Sequence, residues 1–246
     1  MNISRVLQEA MPLLTKGFST TILITLVSLL IALVLGLVSC LMGISRIKPL
    51  NWINKFYIWI IRGTPILVQT FFIYFGLPQA MQQLGADFRL TPFSAGVITL
   101  SLNAGAYISE IFRGGIQAVN KGQMEAARSL GLSYGRAMLK VILPQAIKIV
   151  IPSLLNQFII TLKDTSIISV ISLADVVYQA KIYIGNTMES FATWTVVGVY
   201  YLVYHDFVRD FISFGKENGS WPQKLKFIIC ISISEKTRCC AGLISR

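Results

Sequence analysis

The sequence is poor in charged residues and in side chains that do chemistry. Only 13% of its 246 residues are Asp, Glu, Lys or Arg, against about 25% in an ordinary soluble domain. It holds one histidine, His205, and four cysteines without metal-ligand spacing, namely Cys40, Cys230 and the adjacent Cys239 and Cys240. The sequence therefore has too few suitably spaced histidines and cysteines for a zinc site or a histidine-based catalytic triad. We predict that the chain has no catalytic residue and no metal site.

Charge is missing above all from long stretches of the chain. No charged residue occurs between Lys16 and Arg46, and a helix needs ~20 mainly apolar residues to cross ~30 Å of hydrocarbon. This run is too long for the apolar core of a cleaved signal peptide, which has ~7 to 15 residues. Charge gaps and helix breakers predict an all-α, polytopic membrane protein with about five transmembrane helices. The predicted spans are about 18–43, 53–77, 93–112, 139–162 and 184–204.

The positive net charge of +11 lies between the apolar segments. Nucleic-acid binding would require basic residues gathered on a soluble face beside aromatic platforms, so no nucleic-acid partner is predicted. Short cytoplasmic loops collect Lys and Arg, which places the basic loops after the first and third spans inside. The N-terminus is then external and the C-terminus cytoplasmic, although Arg5 and Lys16 run against this orientation. The basic residues are Arg46, Lys48 and Lys55 in the first loop and Arg113, Lys121, Arg128, Arg136 and Lys140 in the other.

The inner loop after the third span predicts a short exposed helix. Glu125 to Leu130 are mostly good helix formers, and Gly131 and Gly135 can end a helix. Ala126 and Ala127 beside Glu125 make a smooth helix face with one charge, which suits the groove of a partner better than lipid. An ordinary loop helix is the alternative, because a glutamate near a helix start is favoured by the helix dipole.

The spacing of seven residues in this region resembles the EAA signature of permeases of ATP-binding-cassette importers. The positions are Glu125-Ala126-Ala127, Gly131, Val141 and Leu143-Pro144, with Val141 where isoleucine is usual. This resemblance implies a type I importer permease fold in which the short helix is a coupling helix, seated in a cleft of the ATPase subunit. The residues that it assigns to the ATPase interface are Gly122, Glu125, Ala126, Ala127, Gly131, Leu143 and Pro144.

Three further segments resemble the polar amino acid branch of these permeases, of the histidine, glutamine and arginine type. They are Arg62 to Pro65, Ala106 to Ile116 and Leu162 to Ser166. The resemblance covers roughly residues 10–204 and implies import of a polar amino acid across a bacterial cytoplasmic membrane. It also implies a second permease subunit, identical or homologous, two ATPase subunits and an external solute-binding protein.

No cofactor is predicted in this chain, because it has no phosphate-cradling loop of the Walker A type. The nearest dipeptide, Gly215-Lys216, is followed by Glu217 and lacks the preceding glycine-rich loop. ATP must then be bound by the partner subunits.

Polar side chains within the predicted spans are candidates for the substrate pathway, because such groups usually face a cavity or a partner. Arg62 would attract a substrate carboxylate and Glu110 a substrate ammonium group. Alternatively, both lie near cytoplasmic helix ends, where Arg62 reaches the interface and Glu110 pairs with Arg113. The full set of candidates is Arg62, Thr64, Asn103, Glu110, Thr165 and Ser166.

The segment Lys163 to Ser166 after the fourth span is predicted to be a turn that closes the external end of the pathway. A simple charged-pair cap between Lys163 and Asp164 would explain those two residues equally well.

The sequence changes character at His205, where the apolar pattern stops. We predict a transmembrane domain at 1–204 and an atypical tail at 205–246, either from a shifted reading frame or from a genuine lineage-specific ending. The competing function is an ion-coupled secondary transporter or a channel, which would use charges within the membrane. Such carriers usually show more spans or internal repeats, and no convincing repeat is present here.

Overall fold

The computed structural model describes residues 3–45 and 47–217, and within these ranges it contains helices and no strand. The ten α-helices of this part are α1 (Ile3–Ile44), α2 (Lys48–Gly63), α3 (Ile66–Phe71), α4 (Leu77–Gln83), α5 (Pro92–Ala118), α6 (Lys121–Ser129), α7 (Tyr134–Ala137), α8 (Leu143–Ile168), α9 (Val176–Thr187) and α10 (Ser190–Glu217). Two π-helical turns, Phe72–Gly76 and Met138–Ile142, and a 3₁₀ turn at Ser169–Ile171 join some of them.

Three stretches of the described residues are long and apolar enough to cross a membrane: Gln8–Ile44, Pro92–Ala118 and Tyr134–Ile171. A fourth candidate is the pair Lys48–Gly63 and Ile66–Gln83, whose two halves are bent by 106°. These elements follow the order of the first four predicted spans. The all-α, polytopic fold is therefore confirmed.

The predicted fifth span at 184–204 differs from the structure at its start. α9 continues to Thr187, Met188 adopts a left-handed conformation with φ of 59°, and α10 begins only at Ser190. A left-handed residue ends a helix because the following chain can no longer continue the α-helical hydrogen bonds. α10 has 28 residues, which is long enough for a span, but it is not among the three or four stretches of the described residues that are also apolar enough to cross a membrane.

The predicted tail at 205–246 lies outside the described residues from 218 onward. Up to that point α10 runs on past Tyr204 as helix and ends at Glu217. The boundary at 204/205 and the origin of the tail remain predictions.

The described residues divide into two compact units, one formed by 3–114 (without 46) with 156–205 and the other by 115–155 with 206–217. In the first unit, α1 and α5 pack against each other at small residues. A side-chain carbon added at Gly36 would lie 2.6 Å from Ile108, and one added at Gly96 would lie 2.8 Å from Ile24. Such small residues let membrane helices approach closely, where dispersion contacts and hydrogen bonds replace the hydrophobic effect.

In the same unit, α9 and α10 pack against the start of α1. The buried residues of this contact include Leu14, Ala180 and Val197. Asp175 fixes the start of α9, because its carboxylate accepts a hydrogen bond of 2.8 Å from the backbone N–H of Tyr178.

Both π-helical turns lie directly before a leucine-proline pair. Phe72–Gly76 precedes Leu77-Pro78, and Met138–Ile142 precedes Leu143-Pro144. A proline inside a helix lacks the N–H donor and its ring clashes with the carbonyl four residues earlier. A local π turn widens the helix at that point and relieves the clash, as π-bulges do elsewhere. Pro144 is therefore accommodated by a π turn within the helical segment that leads into α8.

The turn predicted at Lys163 to Ser166 is wrong, because these four residues lie inside α8. Their hydroxyl groups bond within the helix instead: Thr165 donates to the Leu162 carbonyl at 2.7 Å and Ser166 to the Lys163 carbonyl at 2.6 Å. Adjacent residues of a helix do not face each other, so the cap proposed between Lys163 and Asp164 does not fit this conformation.

Candidate functional site

The short helix of the inner loop, α6, is fixed at both ends by local hydrogen bonds. At its start, the Asn120 side chain accepts from the backbone N–H of Gly122 at 2.9 Å. At its end, Gly131 has a φ of +85° and its N–H donates to the Arg128 carbonyl at 3.0 Å, while Leu132 N–H donates to Ala127 at 3.2 Å. This pair of bonds is the Schellman motif, which requires a left-handed residue best supplied by glycine.

The helix starts four residues earlier than the segment predicted from Glu125 onward. Lys121 is its first residue, and no acidic residue lies in its first turn. Glu125 therefore sits in the second turn, where the helix dipole has little effect. The alternative explanation of Glu125 as a dipole-stabilising residue loses its basis.

The two alanines of α6 do not share a face, contrary to the sequence prediction. Ala127 is only 4% exposed, whereas Ala126 and Glu125 are exposed. A helix turns by 100° per residue, so neighbouring alanines necessarily diverge. The outward face of α6 consists of Gly122, Glu125, Ala126, Ser129 and Leu130, and Leu130 is 84% exposed.

The inner side of α6 belongs to a small apolar core around the π turn that precedes α8. Buried Val119, Ile142 and Ala146 form this core, and Met124 packs against it. Gln145 of α8 also donates a hydrogen bond to the Gln123 side chain at 3.3 Å. Leu143 and Pro144, which were predicted to lie at the ATPase interface, directly follow this π turn. Leu143 is half-buried and Pro144 is exposed.

We expect Gly131→Ala to destabilise the end of α6 while Gly135→Ala does not. A side-chain carbon added at either glycine has nothing within 4 Å, so crowding plays no part. Gly131 has a positive φ, where alanine costs about 1–2 kcal/mol, whereas Gly135 lies inside α7, where alanine gains about 0.5–1 kcal/mol. Hydrogen exchange of the α6 amides measures the difference. Equal exchange in both variants would contradict the role assigned to Gly131.

The helix break between α2 and α3 forms a second polar site. Thr64 is extended, with φ of −119° and ψ of 144°, and Pro65 follows it. Because Pro65 has no N–H, the Ile61 carbonyl loses its helical donor. The Gln69 side chain replaces that donor: its Nε2 donates to the Ile61 carbonyl at 2.8 Å and to the Thr64 carbonyl at 3.0 Å.

Gln69 also joins two of the predicted pathway residues. Its Nε2 lies 2.9 Å from the Thr64 hydroxyl, and its Oε1 accepts from Asn103 Nδ2 at 3.2 Å. Both Gln69 and Asn103 are only 8% exposed. The sequence analysis missed Gln69, although an amide four residues after an intramembrane proline is a suitable donor for the carbonyl that the proline frees.

The predicted charged residues Arg62 and Glu110 lie beside each other. Arg113 Nη2 contacts Glu110 Oε2 at 2.6 Å and Arg62 Nη1 contacts the same oxygen at 3.5 Å. The Arg62 guanidinium also lies 5.3 Å from the Tyr107 ring centre, a cation–π distance. The alternative in which Glu110 pairs with Arg113 therefore agrees with these contacts, and the group carries two positive charges to one negative.

Thr165 and Ser166 are not joined to this group by the hydrogen bonds of the described residues. Thr165 is fully buried and Ser166 half-buried, and both hydroxyls donate to carbonyls of their own helix. The structure thus brings together Arg62 with Glu110 and Thr64 with Asn103, and leaves Thr165 and Ser166 apart.

The described residues form a helical, polytopic membrane protein with an exposed short helix between two apolar segments. A family profile described as "Binding-protein-dependent transport system inner membrane component" matches residues 32–205. The chain belongs to this family.

Two curated relatives are similar over most of the chain. The probable glutamine ABC transporter permease protein GlnM of Bacillus subtilis is 43% identical over 203 residues, which is 82% of this chain and 91% of that protein. The glutamine transport system permease protein GlnP of Escherichia coli K12 is 41% identical over 197 residues, or 79% of this chain and 87% of that protein.

Solved structures show the same fold. A crystal structure of an amino acid ABC transporter with histidines superposes with a TM-score of 0.80 at 41% identity and covers 85% of this chain and 94% of that one. The inward-facing MetNI methionine ABC transporter gives a TM-score of 0.63 at 19% identity, covering 82% of this chain and 96% of that one. At that identity the likeness concerns the fold alone.

The predicted importer permease is confirmed by this family membership. The chain is a multi-pass inner-membrane component of an ATP-binding-cassette importer, a transport subunit and not an enzyme, and works with ATPase and binding-protein components. Nothing in the comparisons supports the ion-coupled transporter or channel.

Proposed function

We propose that this permease imports a polar amino acid, and that the outward face of α6 transmits the motion of the ATPase. The relatives named above are glutamine permeases, and the superposing transporter carries amino acids. The observation that carries the coupling proposal is the exposed face with Glu125, Ala126 and Leu130 on a helix that is held on its other side by a packed core.

The exposed face of α6 suits a protein partner better than water or lipid. Leu130 is 84% exposed, which leaves a large apolar side chain in water, while the exposed Glu125 carboxylate would be costly in lipid. The small side chains of Gly122 and Ala126 permit close approach of a groove wall. Leu143 and Pro144 are included in the proposed coupling element, because they directly follow the π turn on which α6 packs.

The assembly proposed for transport has two permease subunits, identical or homologous, two ATPase subunits that bind the ATP, and an extracytoplasmic solute-binding protein. This chain needs no cofactor of its own in that arrangement. The N-terminus is external and the C-terminus cytoplasmic, which puts α6 on the side of the ATPase. The positive charge of Arg46, of Lys48 and Lys55 in α2, and of the residues around α6 supports this orientation.

The substrate pathway is proposed to run past the break at Thr64-Pro65. Arg62, Thr64, Asn103 and Glu110 are retained as candidates that bind the substrate or hold the pathway, with Gln69 added as a positioning residue. Thr165 and Ser166 are the weaker candidates for this pathway, because their hydroxyl groups already donate hydrogen bonds to carbonyls within α8.

Reconstitution tests the proposed function. The permease is placed in proteoliposomes with a candidate ATPase and a candidate solute-binding protein, and uptake of labelled glutamine, arginine and histidine is measured with and without ATP inside. ATP-dependent uptake of at least one of them, competed by polar but not by branched-chain amino acids, is expected. Uptake that needs no ATP, or uptake restricted to sugars or metal ions in the same vesicles, would contradict it.

A further inference from the structure

The outward face of α2 carries alternating basic and aromatic side chains. Lys48, Trp52, Lys55 and Trp59 are spaced four, three and four residues apart, which places them on one side of a helix. Trp52 is 75% exposed and Trp59 is 71% exposed, and both lysines are exposed as well. These four side chains are called the α2 stripe below.

The polar side chains beside and opposite the α2 stripe make the protein contacts of α2. The Asn51 side chain donates to the Gly43 carbonyl at 2.8 Å, and the Tyr57 hydroxyl donates to the Leu102 carbonyl at 2.7 Å. Asn54 is buried on the same side. A helix in water would turn its amides outward and its tryptophans inward, so the arrangement indicates that the α2 stripe faces lipid.

The position of α2 fits the headgroup region of the membrane. It has 16 residues and is therefore about 24 Å long, shorter than the ~30 Å of the hydrocarbon core. It contacts Gly43 next to the end of α1 at Ile44, and it is bent by 106° from Ile66–Gln83. Tryptophan is enriched at this depth, because its ring is apolar and its N–H is polar.

The two lysines of the α2 stripe are available for an external anion. Within the described residues, neither Lys48 nor Lys55 takes part in an ion pair. Lys48 is also the first residue of α2, where the helix dipole disfavours a cation, so helix stability does not account for its charge. Basic side chains next to tryptophans at a membrane surface attract the phosphates of anionic lipids.

We propose that the α2 stripe binds the headgroups of anionic phospholipids such as phosphatidylglycerol. Charge complementarity favours this occupant over a second copy of the chain, because two copies meeting at this face would bring four unpaired lysines together. With the orientation proposed above, the lipid lies in the cytoplasmic leaflet. The lipid preference itself depends neither on that orientation nor on the transported substrate.

Native mass spectrometry of the full-length chain in detergent tests the proposal, with equal additions of phosphatidylglycerol and phosphatidylcholine. For the wild type, bound phosphatidylglycerol should exceed bound phosphatidylcholine. Lys48→Gln/Lys55→Gln should lower that ratio by about fivefold per lysine, so about 25-fold for both. Trp52→Ala/Trp59→Ala should reduce the bound amounts of both lipids alike, because the tryptophans are expected to contact lipid irrespective of the headgroup charge.

The matched control is Lys121→Gln/Lys140→Gln, which removes the same charge at two other exposed lysines and should leave the ratio unchanged. The proposal is overturned if the α2 double variant keeps the wild-type ratio or if the control loses it equally. A change from dimer to monomer in Lys48→Gln/Lys55→Gln at an unchanged lipid ratio would also reject it and assign the face to a second copy. Far-ultraviolet circular dichroism confirms that each variant is folded.

Discussion

Reversal of charge by Glu125→Lys is expected to lower ATP-driven uptake by at least about tenfold while ATP hydrolysis by the assembled ATPase persists. Glu125 is exposed on the outward face of α6, so its replacement should change the unfolding free energy of the chain itself by less than about 0.5 kcal/mol. In a docked interface, by contrast, a wrongly placed charge costs several kcal/mol. Parallel measurement of uptake and ATP hydrolysis in proteoliposomes separates lost coupling from lost folding.

The matched control for this variant is Asp87→Lys, which makes the same charge change at another exposed carboxylate. Asp87 lies in the segment between α4 and α5 and is 80% exposed beside Arg89. The Asp87→Lys variant should retain most of the wild-type uptake. Equal losses in the two variants would mean that added positive charge alone impairs transport, and normal uptake by Glu125→Lys would remove Glu125 from the interface.

Replacement of Gln69 by leucine should destabilise the protein by about 2–4 kcal/mol and abolish most transport. The variant has nearly the same volume but leaves the carbonyls of Ile61 and Thr64 without the donor that Gln69 supplies. Each buried polar group left without a partner costs about 1–3 kcal/mol. Thermal unfolding of the purified chain, followed by its tryptophan fluorescence, measures the loss.

Gln82→Leu serves as the comparison, because Gln82 is an exposed amide in α4. The unfolding temperature of the Gln82→Leu variant should stay within about a degree or two of that of the wild type, since substitutions of exposed residues usually have small effects. If Gln69→Leu unfolds at the same temperature as Gln82→Leu, the carbonyls at the break find other partners and Gln69 is not the residue that holds it.

The sequence predicted the order of the apolar elements and the position of the exposed helix, because both depend on local patterns. The stretch without charge after Lys16 and the glycine at 131 are visible in the printed sequence. The bend of 106° at the Thr64-Pro65 break was not predictable in size, because proline removes a hydrogen bond but does not fix the direction of the next helix.

The orientation of individual side chains was the harder part. Ala126 and Ala127 look alike in sequence, and only the folded structure shows that Ala127 is the buried one. Lys163 to Ser166 was predicted to be a turn, but hydroxyls that bond to carbonyls of their own helix keep polar residues helical. Gln69 escaped notice because its function depends on the carbonyl freed at Ile61, on the preceding helix.

Maleimide labelling of Ala126→Cys and Ala127→Cys, in a background with the native cysteines replaced by serine, tests most directly whether the outward face of α6 docks on the ATPase. In the permease alone, the thiol at 126 should react quickly and the thiol at 127 slowly, because Ala126 is exposed and Ala127 is only 4% exposed. Addition of the ATPase should then protect the thiol at 126. If it reacts equally fast with the ATPase bound, α6 is not the docking element.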